Sequence, residues 1–271
     1  MTYTSTGWPP VAGTEPPTVS RRWFEPAGVS PALAVGRVPL VLLHEGLGSI
    51  SSWGSFPQAL ADACGRRLLA YDRAGYGESD PRPGPWPAEF MHHEAFELDE
   101  LLRSEGVDRL ILVGHSDGAT ISLLYPSQAP AGGSDVVGIV SLSAHVMVEE
   151  LNVEVISAMR DTYHDGLARP LARHHRDADT TFDLWSDVWV SDRFRPWAID
   201  AELGAITCPV LAMQGEADAY GTMIQLNRLA AAVAGPVETV ALPGVDHWPH
   251  KEATDDVIRL TTTFADGIDP R

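Results

Sequence analysis

Short apolar runs alternate with stretches of helical periodicity along most of this chain. Val38–Leu43 and Leu110–Val113 have the length and the Val, Leu and Ile content of buried β-strands. The same pattern predicts strands at Arg67–Tyr71, Val136–Leu142, Pro209–Met213 and Glu238–Leu242, and short edge strands at Thr18–Phe24 and Ala32–Val35. Helical periodicity lies at 56–64, 90–105, 119–124, 222–233 and 249–266. Strands that alternate with helices predict an α/β fold, with a mostly parallel central sheet and helices on both of its faces.

One long segment breaks this alternation. From about residue 148 to residue 206 the periodicity is helical, charged residues are frequent, and no run has the character of a strand. Parallel sheets bind ligands beyond the carboxyl ends of their strands, so we interpret the segment as a helical cap inserted above that edge. The predicted domains are an α/β core formed by 1–145 and 207–271 and a cap formed by 146–206.

The chemistry is centred on a G-x-S-x-G pentapeptide, Gly114–Gly118. It lies between a predicted strand and a predicted helix, which is the context in which such a pentapeptide forms a sharp turn with an exposed serine. Bulky side chains two positions from the serine would clash in that turn, so Gly114 and Gly118 are required there. We expect Ser116 to be a nucleophile at the tip of the turn.

A serine hydroxyl needs a general base, and the base needs a carboxylate that orients it. Asp218 follows one predicted strand and His247 follows the next, so both should lie at the same edge of the sheet as Ser116. The chain order Ser, Asp, His is the one expected for this architecture. Glu216 and Asp246 are the alternative carboxylates, although Asp246 is adjacent to the histidine, which makes a side-on hydrogen bond awkward.

An oxyanion that forms during attack on a carbonyl needs backbone N–H donors that are already in place. One donor should be the N–H of Asp117, directly after the nucleophile. The other should come from the glycine-containing loop after the first long strand, at Gly46 or alternatively at Leu47. The Asp117 side chain either faces the pocket or caps the following helix, and capping is the favoured interpretation.

Taken together, these motifs resemble those of the α/β-hydrolase superfamily of serine hydrolases. The matching pieces are His44–Gly48, Asp72–Ser79, Gly114–Gly118, Gly215–Asp218 and Gly244–His247, and they span nearly the whole chain. The resemblance implies an α/β-hydrolase fold with a triad of Ser116, Asp218 and His247. It does not imply a substrate, because this fold carries many different reactions.

Glu45 stands where the resembled family usually has glycine in its oxyanion loop. Its carboxylate could tune His44, contact substrate or point to solvent, and the last interpretation is favoured. The residues expected to line a substrate pocket are His44, Glu45, His145, Trp185 and Trp189. Most aromatic side chains of the cap are expected to pack against the core. His174–Asp179 is interpreted as a solvated loop, and no metal site is predicted.

The predicted reaction is hydrolysis of an ester-like small molecule (a carboxylic ester, lactone or thioester) through an acyl-enzyme. Haloalkane dehalogenases and epoxide hydrolases of the resembled family carry aspartate at the elbow, and Ser116 argues against both. The alternatives are a C–C bond hydrolase, a cofactor-free lyase or cyclase that uses the triad for proton abstraction, and a non-catalytic small-molecule receptor. No cofactor is expected.

Composition limits the partners. The 19 Lys and Arg against 37 Asp and Glu give a net charge of −18, which repels nucleic-acid phosphates and anionic lipid. No apolar run approaches the length of a membrane span, and the N-terminus lacks the features of a signal peptide. We therefore expect a cytoplasmic monomer or homodimer that binds a small molecule, and neither a nucleic acid nor a membrane. Cys64 and Cys208 are expected to be buried free thiols.

Overall fold

A seven-stranded sheet forms the centre of the computed structural model, which describes residues 17–270. Its strands are β1 (Arg21–Phe24), β2 (Leu40–Leu43), β3 (Leu68–Tyr71), β4 (Arg109–His115), β5 (Asp135–Leu142), β6 (Val210–Gly215) and β7 (Val237–Leu242). They lie in the order β1-β3-β2-β4-β5-β6-β7. Strand β1 is antiparallel to β3 and the other pairs are parallel. This sheet confirms the predicted fold class.

Helices cover both faces of the sheet. Those in the described chain are α1 (Pro31–Val35), α2 (Phe56–Cys64), α3 (Phe90–Ser104), α4 (Asp117–Gln128), α5 (Glu150–Asp161), α6 (Tyr163–Gly166), α7 (Ala168–Leu171), α8 (Ala178–Trp189), α9 (Asp200–Leu203), α10 (Met223–Ala232), α11 (Pro249–Glu252) and α12 (Thr254–Ile268). Within β4, Leu110 and Leu112 belong to the core cluster that includes residues of α3, α4 and α10, whereas Ile111 and Val113 belong to the cluster that includes residues of α2 and α12. Because both faces of the sheet are buried at β4, successive residues of this strand are apolar rather than alternately apolar and polar.

The parallel register brings the carboxyl ends of the strands to one edge of the sheet. His115 at the end of β4 pairs with Leu142 at the end of β5, and Gly215 at the end of β6 pairs with Leu242 at the end of β7. The loops that follow β4, β6 and β7 therefore open side by side, as the sequence predicts.

Helices α5 to α9 occupy the chain between β5 and β6, where the sequence predicts a helical insertion. Apart from an isolated bridge between Met147 and Ala198, the structure assigns no strand pairing to this segment. Helix α8 buries Trp185 and Trp189 on one face. The boundaries of a cap domain remain a prediction, as do those of the core, whose first 16 residues lie outside the described chain.

The segment predicted as an edge strand at 32–35 is helix α1 instead. The Ser30 hydroxyl accepts a hydrogen bond from the Leu33 N–H at 3.4 Å, and Pro31 takes the first helical position. A side-chain cap and a proline at this position both favour the start of a helix. These two local features outweigh the short apolar run on which the strand prediction was based.

The helix predicted at 249–266 is divided into α11 and α12. Ala253 lies between them and leaves helical geometry, with φ −129° and ψ 43°. Next to it, the Thr254 hydroxyl donates to the His250 carbonyl at 2.8 Å, and such side-chain bonds to the backbone interrupt or bend helices. The periodicity of the sequence is thus correct on both sides of a break that it does not reveal.

Two further predictions concern thiols and membranes. Within residues 17–270, neither Cys64 nor Cys208 forms a disulfide, as predicted; the first is buried, and the second is only half-buried. Among residues 17–270, no helix combines the length and the apolar character needed to cross a membrane.

Arg66 offers a test of how the end of the chain is held to the sheet. Its buried guanidinium donates to the carbonyls of Val38 and Ala265, both at 3.0 Å, and pairs with Asp269 at 2.5 Å. Arg66→Ala removes the donor to the Val38 carbonyl and the ion pair of Asp269, while the Ala265 carbonyl keeps the Asp269 N–H at 3.0 Å, so the free energy of unfolding should fall by about 2–3 kcal/mol. Arg259→Ala, which removes an exposed arginine of α12, should cost less than about 1 kcal/mol. Urea unfolding of both variants checks the difference, and equal losses would contradict it.

Candidate active site

The turn after β4 holds Ser116 in a conformation that few residues other than glycine adopt. Its φ is +52° and its ψ is −120°. A Cβ added at Gly114 would lie 2.3 Å from the Gly118 carbonyl oxygen, and one added at Gly118 would lie 2.3 Å from the Leu43 carbonyl oxygen. Neither glycine can carry a side chain, as predicted. Helix α4 can therefore start directly against β2, with Ser116 at its N-terminus.

The predicted triad side chains lie together at this edge of the sheet. Ser116 Oγ is 3.0 Å from His247 Nε2, and His247 Nδ1 is 2.9 Å from each carboxylate oxygen of Asp218. Asp218 also accepts hydrogen bonds from the backbone N–H groups of Tyr220 at 2.8 Å and Gly221 at 3.1 Å, which fix its carboxylate. This arrangement can serve as a nucleophile, a base and an orienting acid.

The two alternative carboxylates have other positions. Asp246 accepts hydrogen bonds from the backbone N–H groups of Ala219 and His247, both at 2.8 Å, and so braces the loop rather than the imidazole ring. Glu216 is exposed. Asp218 is therefore the carboxylate that faces the His247 ring.

Burial and hydrogen bonding act in opposite directions on the pKa values of His247 and Asp218. Burial lowers the pKa of His247 below 6.5, and the hydrogen bond with Asp218 reverses only part of that effect. Burial would raise the pKa of Asp218, but the hydrogen bond from His247 and the backbone donors outweigh it, and the net pKa is lowered. A neutral histidine beside an ionised aspartate is the state that a general base requires.

The candidate oxyanion donors all border one cavity, which opens above Ser116. Gly46, Leu47 and Asp117 line it beside Ser116, and their backbone N–H groups have no acceptor among residues 17–270. A Cβ at Gly46 would lie 2.3 Å from the Trp185 indole nitrogen, so this position also needs glycine. Gly46 and Leu47 therefore both remain candidates for the second oxyanion donor, beside the Asp117 N–H.

His175 anchors this loop from the helical segment. Its Nε2 donates to the Leu47 carbonyl at 2.9 Å, and its Nδ1 accepts from the Gly77 N–H at 2.9 Å. The interpretation of 174–179 as a solvated loop is therefore wrong for His175, whose side chain is buried. The two backbone hydrogen bonds satisfy both ring nitrogens in that buried position. Within the described chain, no group of three or more His, Cys, Asp or Glu side chains could hold a metal ion.

A cavity of about 320 Å³ opens above Ser116. Four of the five predicted pocket residues line it, namely Glu45, His145, Trp185 and Trp189. Further lining residues that the sequence patterns do not indicate are Asn152, Ile156, Met159, Leu167, Leu171, His174, Tyr220, Trp248 and Lys251. Two of these, Tyr220 and Trp248, lie two positions after Asp218 and one position after His247, and that proximity in sequence is a signal that could identify them.

The prediction that His44 lines the pocket is wrong. Its ring is fully buried beneath the oxyanion loop, where Nε2 accepts from the Arg73 backbone N–H at 3.1 Å and Nδ1 lies 2.7 Å from the Glu45 carbonyl. Burial and the Arg73 charge lower the pKa of His44 well below its ordinary value. His44 thus acts as a neutral support for the loop.

The favoured interpretation of Glu45 as a solvent-facing side chain is also wrong. Its side chain is only 17% exposed, and Oε2 lies 3.6 Å from Nδ1 of His115. The carboxylate points inwards, where it interacts with this imidazole ring and with the positive charge of Lys251.

The Asp117 side chain does not cap α4, contrary to the favoured prediction. Helix α4 has no side-chain cap, and Asp117 Oδ2 accepts a hydrogen bond from the Trp185 indole nitrogen at 2.9 Å. Burial raises the pKa of Asp117 to about 6, although the Arg73 charge and the Trp185 bond act in the opposite direction. A carboxyl group that titrates near neutrality therefore lies beside the nucleophile.

The raised pKa of Asp117 predicts a pH-dependent cost in stability. Between the unfolded value of 3.8 and about 6 the folded state binds the proton more tightly, so stability falls as pH rises through this window. Asp117→Asn keeps an acceptor for Trp185 and removes the titration. The variant should be more stable than wild type by about 3 kcal/mol near pH 8 and nearly equal to it near pH 4. Chemical unfolding at the two pH values measures this, and a pH-independent difference would contradict it.

Comparison with known proteins agrees with this architecture. The model of the Alpha/beta hydrolase family matches residues 40–260. Epoxide hydrolase A of Mycobacterium tuberculosis (strain ATCC 25618 / H37Rv) is 25% identical over 298 aligned positions, which cover 86% of this chain and 92% of that protein. Serine hydrolase BPHL of Mus musculus is 26% identical over 203 positions, covering 73% of this chain and 68% of that protein.

Solved structures show the same fold at lower identity. The enol-lactonase from Burkholderia xenovorans LB400 superposes with a TM-score of 0.67 and 19% identity, covering 92% of this chain and 96% of that one. The family match extends over well more than half of the sequence and includes every triad position. The chain therefore belongs to the alpha/beta hydrolase family, and its relatives indicate a hydrolase.

Proposed function

We propose that this protein is a serine hydrolase that cleaves the ester-like bond of a carboxylic ester, lactone or thioester through an acyl-enzyme. The observation that carries the proposal is the hydrogen-bonded series from Ser116 Oγ to His247 Nε2 at 3.0 Å and from His247 Nδ1 to Asp218 at 2.9 Å. The series lies at the floor of a cavity beside the candidate oxyanion donors. Nucleophile, base and electrostatic stabilisation are thus available at one point.

Each group has one role in the proposed reaction. Ser116 Oγ attacks the substrate carbonyl as its proton passes to His247 Nε2, and Asp218 stabilises the imidazolium that forms. The N–H of Asp117, together with that of Gly46 or Leu47, binds the oxyanion. The leaving group departs with the proton from His247. A water molecule, deprotonated by the same histidine, then attacks the acyl-enzyme, and the bond to Ser116 Oγ breaks as His247 returns the proton to that oxygen and the acid is released.

The serine at the proposed nucleophile position argues against epoxide opening by this chain, although one relative is named as an epoxide hydrolase. A carboxylate that opens an epoxide forms an ester, which water can hydrolyse by attack at the carbonyl carbon. A serine oxygen would form an ether instead, and no carbonyl would remain for the second step. Ser116 therefore supports carbonyl chemistry, and the similarity to an enol-lactonase structure is consistent with a lactone as one member of the proposed class.

The cavity walls favour a substrate with an apolar acyl or ring portion. Apolar side chains from α5 to α8 face the cavity opposite Ser116: Ile156, Met159, Leu167, Leu171, Trp185 and Trp189. Removing such surface from water stabilises a bound apolar group. We propose that these helices act as a cap that selects a small molecule and excludes water from the reacting carbonyl. A cytoplasmic location and a monomeric or homodimeric state remain predictions from the sequence.

Substitution of the nucleophile tests the proposal. Ser116→Ala should lower hydrolysis of p-nitrophenyl acetate, butyrate and octanoate by at least about 10³-fold, because acyl transfer loses its nucleophile. Ser143→Ala is the matched control. Ser143 is also buried with a positive φ, of 49°, and it lies outside the cavity lining. Equal turnover by the two variants would contradict the proposed role of Ser116. No turnover by folded wild type would instead favour C–C bond cleavage or lyase chemistry.

The lowered pKa of His247 predicts the pH dependence of the reaction. The neutral base persists to lower pH than an ordinary histidine, so the acid limb of kcat/KM should have its midpoint below 6.5. Steady-state rates across this range measure the midpoint. The acid limb should remain in Asp117→Asn, which removes the neighbouring carboxyl group whose pKa is also close to this range. A midpoint above 6.5, or loss of the limb in that variant, would contradict the assignment to His247.

A further inference from the structure

We propose that Glu45 and His115 form a buried ion pair that positions the general base, with His115 as a doubly protonated imidazolium between the oxyanion loop and the His247 loop. Neither side chain is assigned a bond to the reacting atoms, so both are positioning residues. The proposal rests on the proposed function of Ser116 and His247, and it gives a role to the glutamate that replaces the expected glycine.

The His115 ring spans the two loops. It precedes the nucleophile on β4 and is 0% exposed. Its Nε2 lies 2.7 Å from the carbonyl oxygen of His247. Because a carbonyl oxygen can only accept a hydrogen bond, Nε2 carries a proton and donates it. Nδ1 of the same ring lies 3.6 Å from Oε2 of Glu45.

Whether His115 is cationic depends on a proton at Nδ1, its second ring nitrogen. Without a proton, the Nδ1 lone pair of His115 would face a carboxylate in a buried site, with no donor between them. Burial raises the pKa of Glu45, but its interactions with His115 and with the charge of Lys251 outweigh burial and bring the pKa well below its usual range. Oε2 of Glu45, 3.6 Å from Nδ1, supplies the negative charge that favours a proton on this nitrogen, which has no hydrogen-bond partner among residues 17–270.

The other titratable groups around the pair do not compete for this proton. The His250 ring, on α11, lies 4.7 Å from the His115 ring, and burial lowers the pKa of His250 to about 2. The His247 ring lies 5.1 Å away, and its pKa is also lowered by burial. Lys251 contributes a positive charge that faces Glu45. Glu45 is thus the carboxylate that balances a cationic His115.

The pair joins the segments that carry the chemistry. The Glu45 backbone carbonyl accepts hydrogen bonds from Arg73 Nη2 at 2.7 Å and from the Gly48 N–H at 3.1 Å, so the residue is fixed within the oxyanion loop. Its side chain reaches His115, and His115 holds the backbone of His247. Hydrogen bonds from a charged donor are stronger than neutral ones. A cationic His115 therefore restrains the His247 loop more firmly than a neutral ring would, and small displacements of a base slow the chemical step.

Glu45→Gln tests the pair, because the amide keeps the side-chain shape and removes the charge. In the wild type, ¹⁵N NMR of the imidazoles should show two protonated ring nitrogens for His115, with His115→Gln identifying the signals. In Glu45→Gln the His115 ring should become neutral. With p-nitrophenyl butyrate, kcat should fall on the order of tenfold while KM changes less than about twofold. The exposed carboxylate at the same edge provides the control, and Glu216→Gln should change neither quantity.

A double variant distinguishes a pair from two independent effects. The amide of His115→Gln can still donate to the His247 carbonyl, so Glu45→Gln combined with His115→Gln should lose no more activity than either single variant. Thermal unfolding confirms that each variant is folded. A neutral His115 in the wild type, an unchanged kcat in Glu45→Gln, or losses that multiply in the double variant would overturn the proposal. Turnover that does not depend on Ser116 would instead overturn the proposed function, and the ¹⁵N signals would still decide the ion pair.

Discussion

The contact of backbone on backbone between α4 and strand β2 is the constraint on which the rest of the site depends. It is possible because Gly118 has no Cβ where the Leu43 carbonyl lies, and because Gly114 leaves room for the start of the helix. This close approach holds Ser116 at a φ of +52° with its hydroxyl beside His247. The strain is maintained by the surrounding sheet rather than by the turn itself, which is the usual condition for strained residues at functional sites.

Local contacts, rather than the net charge of −18, set the proton state of each group at the cavity. Arg73 is a buried cation paired with Glu94 at 2.6 Å, and it lies close enough to oppose the burial-driven rise in the pKa of Asp117. Asp218 remains ionised because it accepts several hydrogen bonds, whereas Asp117 accepts fewer and titrates near neutrality. Two carboxyl groups at the same site can thus differ in protonation because their hydrogen-bond donors differ.

The sequence predicts the sheet and the triad positions because both follow from local rules. Buried parallel strands give continuous apolar runs, and the chain order of Ser116, Asp218 and His247 fixes which loops meet. At the site, the predictions that differ from the structure concern side-chain direction. Glu45 and Asp117 turn inwards because of partners far along the chain, His115 and Trp185, and no local pattern reveals such partners. The buried position of His175 likewise depends on the distant Leu47 carbonyl.

The most direct test of the central claim is to find which atom of the protein becomes covalently modified. Wild-type protein treated with a serine-directed phosphonate and analysed by peptide mass spectrometry should carry one adduct, on the peptide that contains Ser116. His247→Gln should react far more slowly at the same site, because Ser116 then lacks its general base. An adduct on another residue, or no adduct in folded protein, would contradict the assignment of Ser116 as the nucleophile.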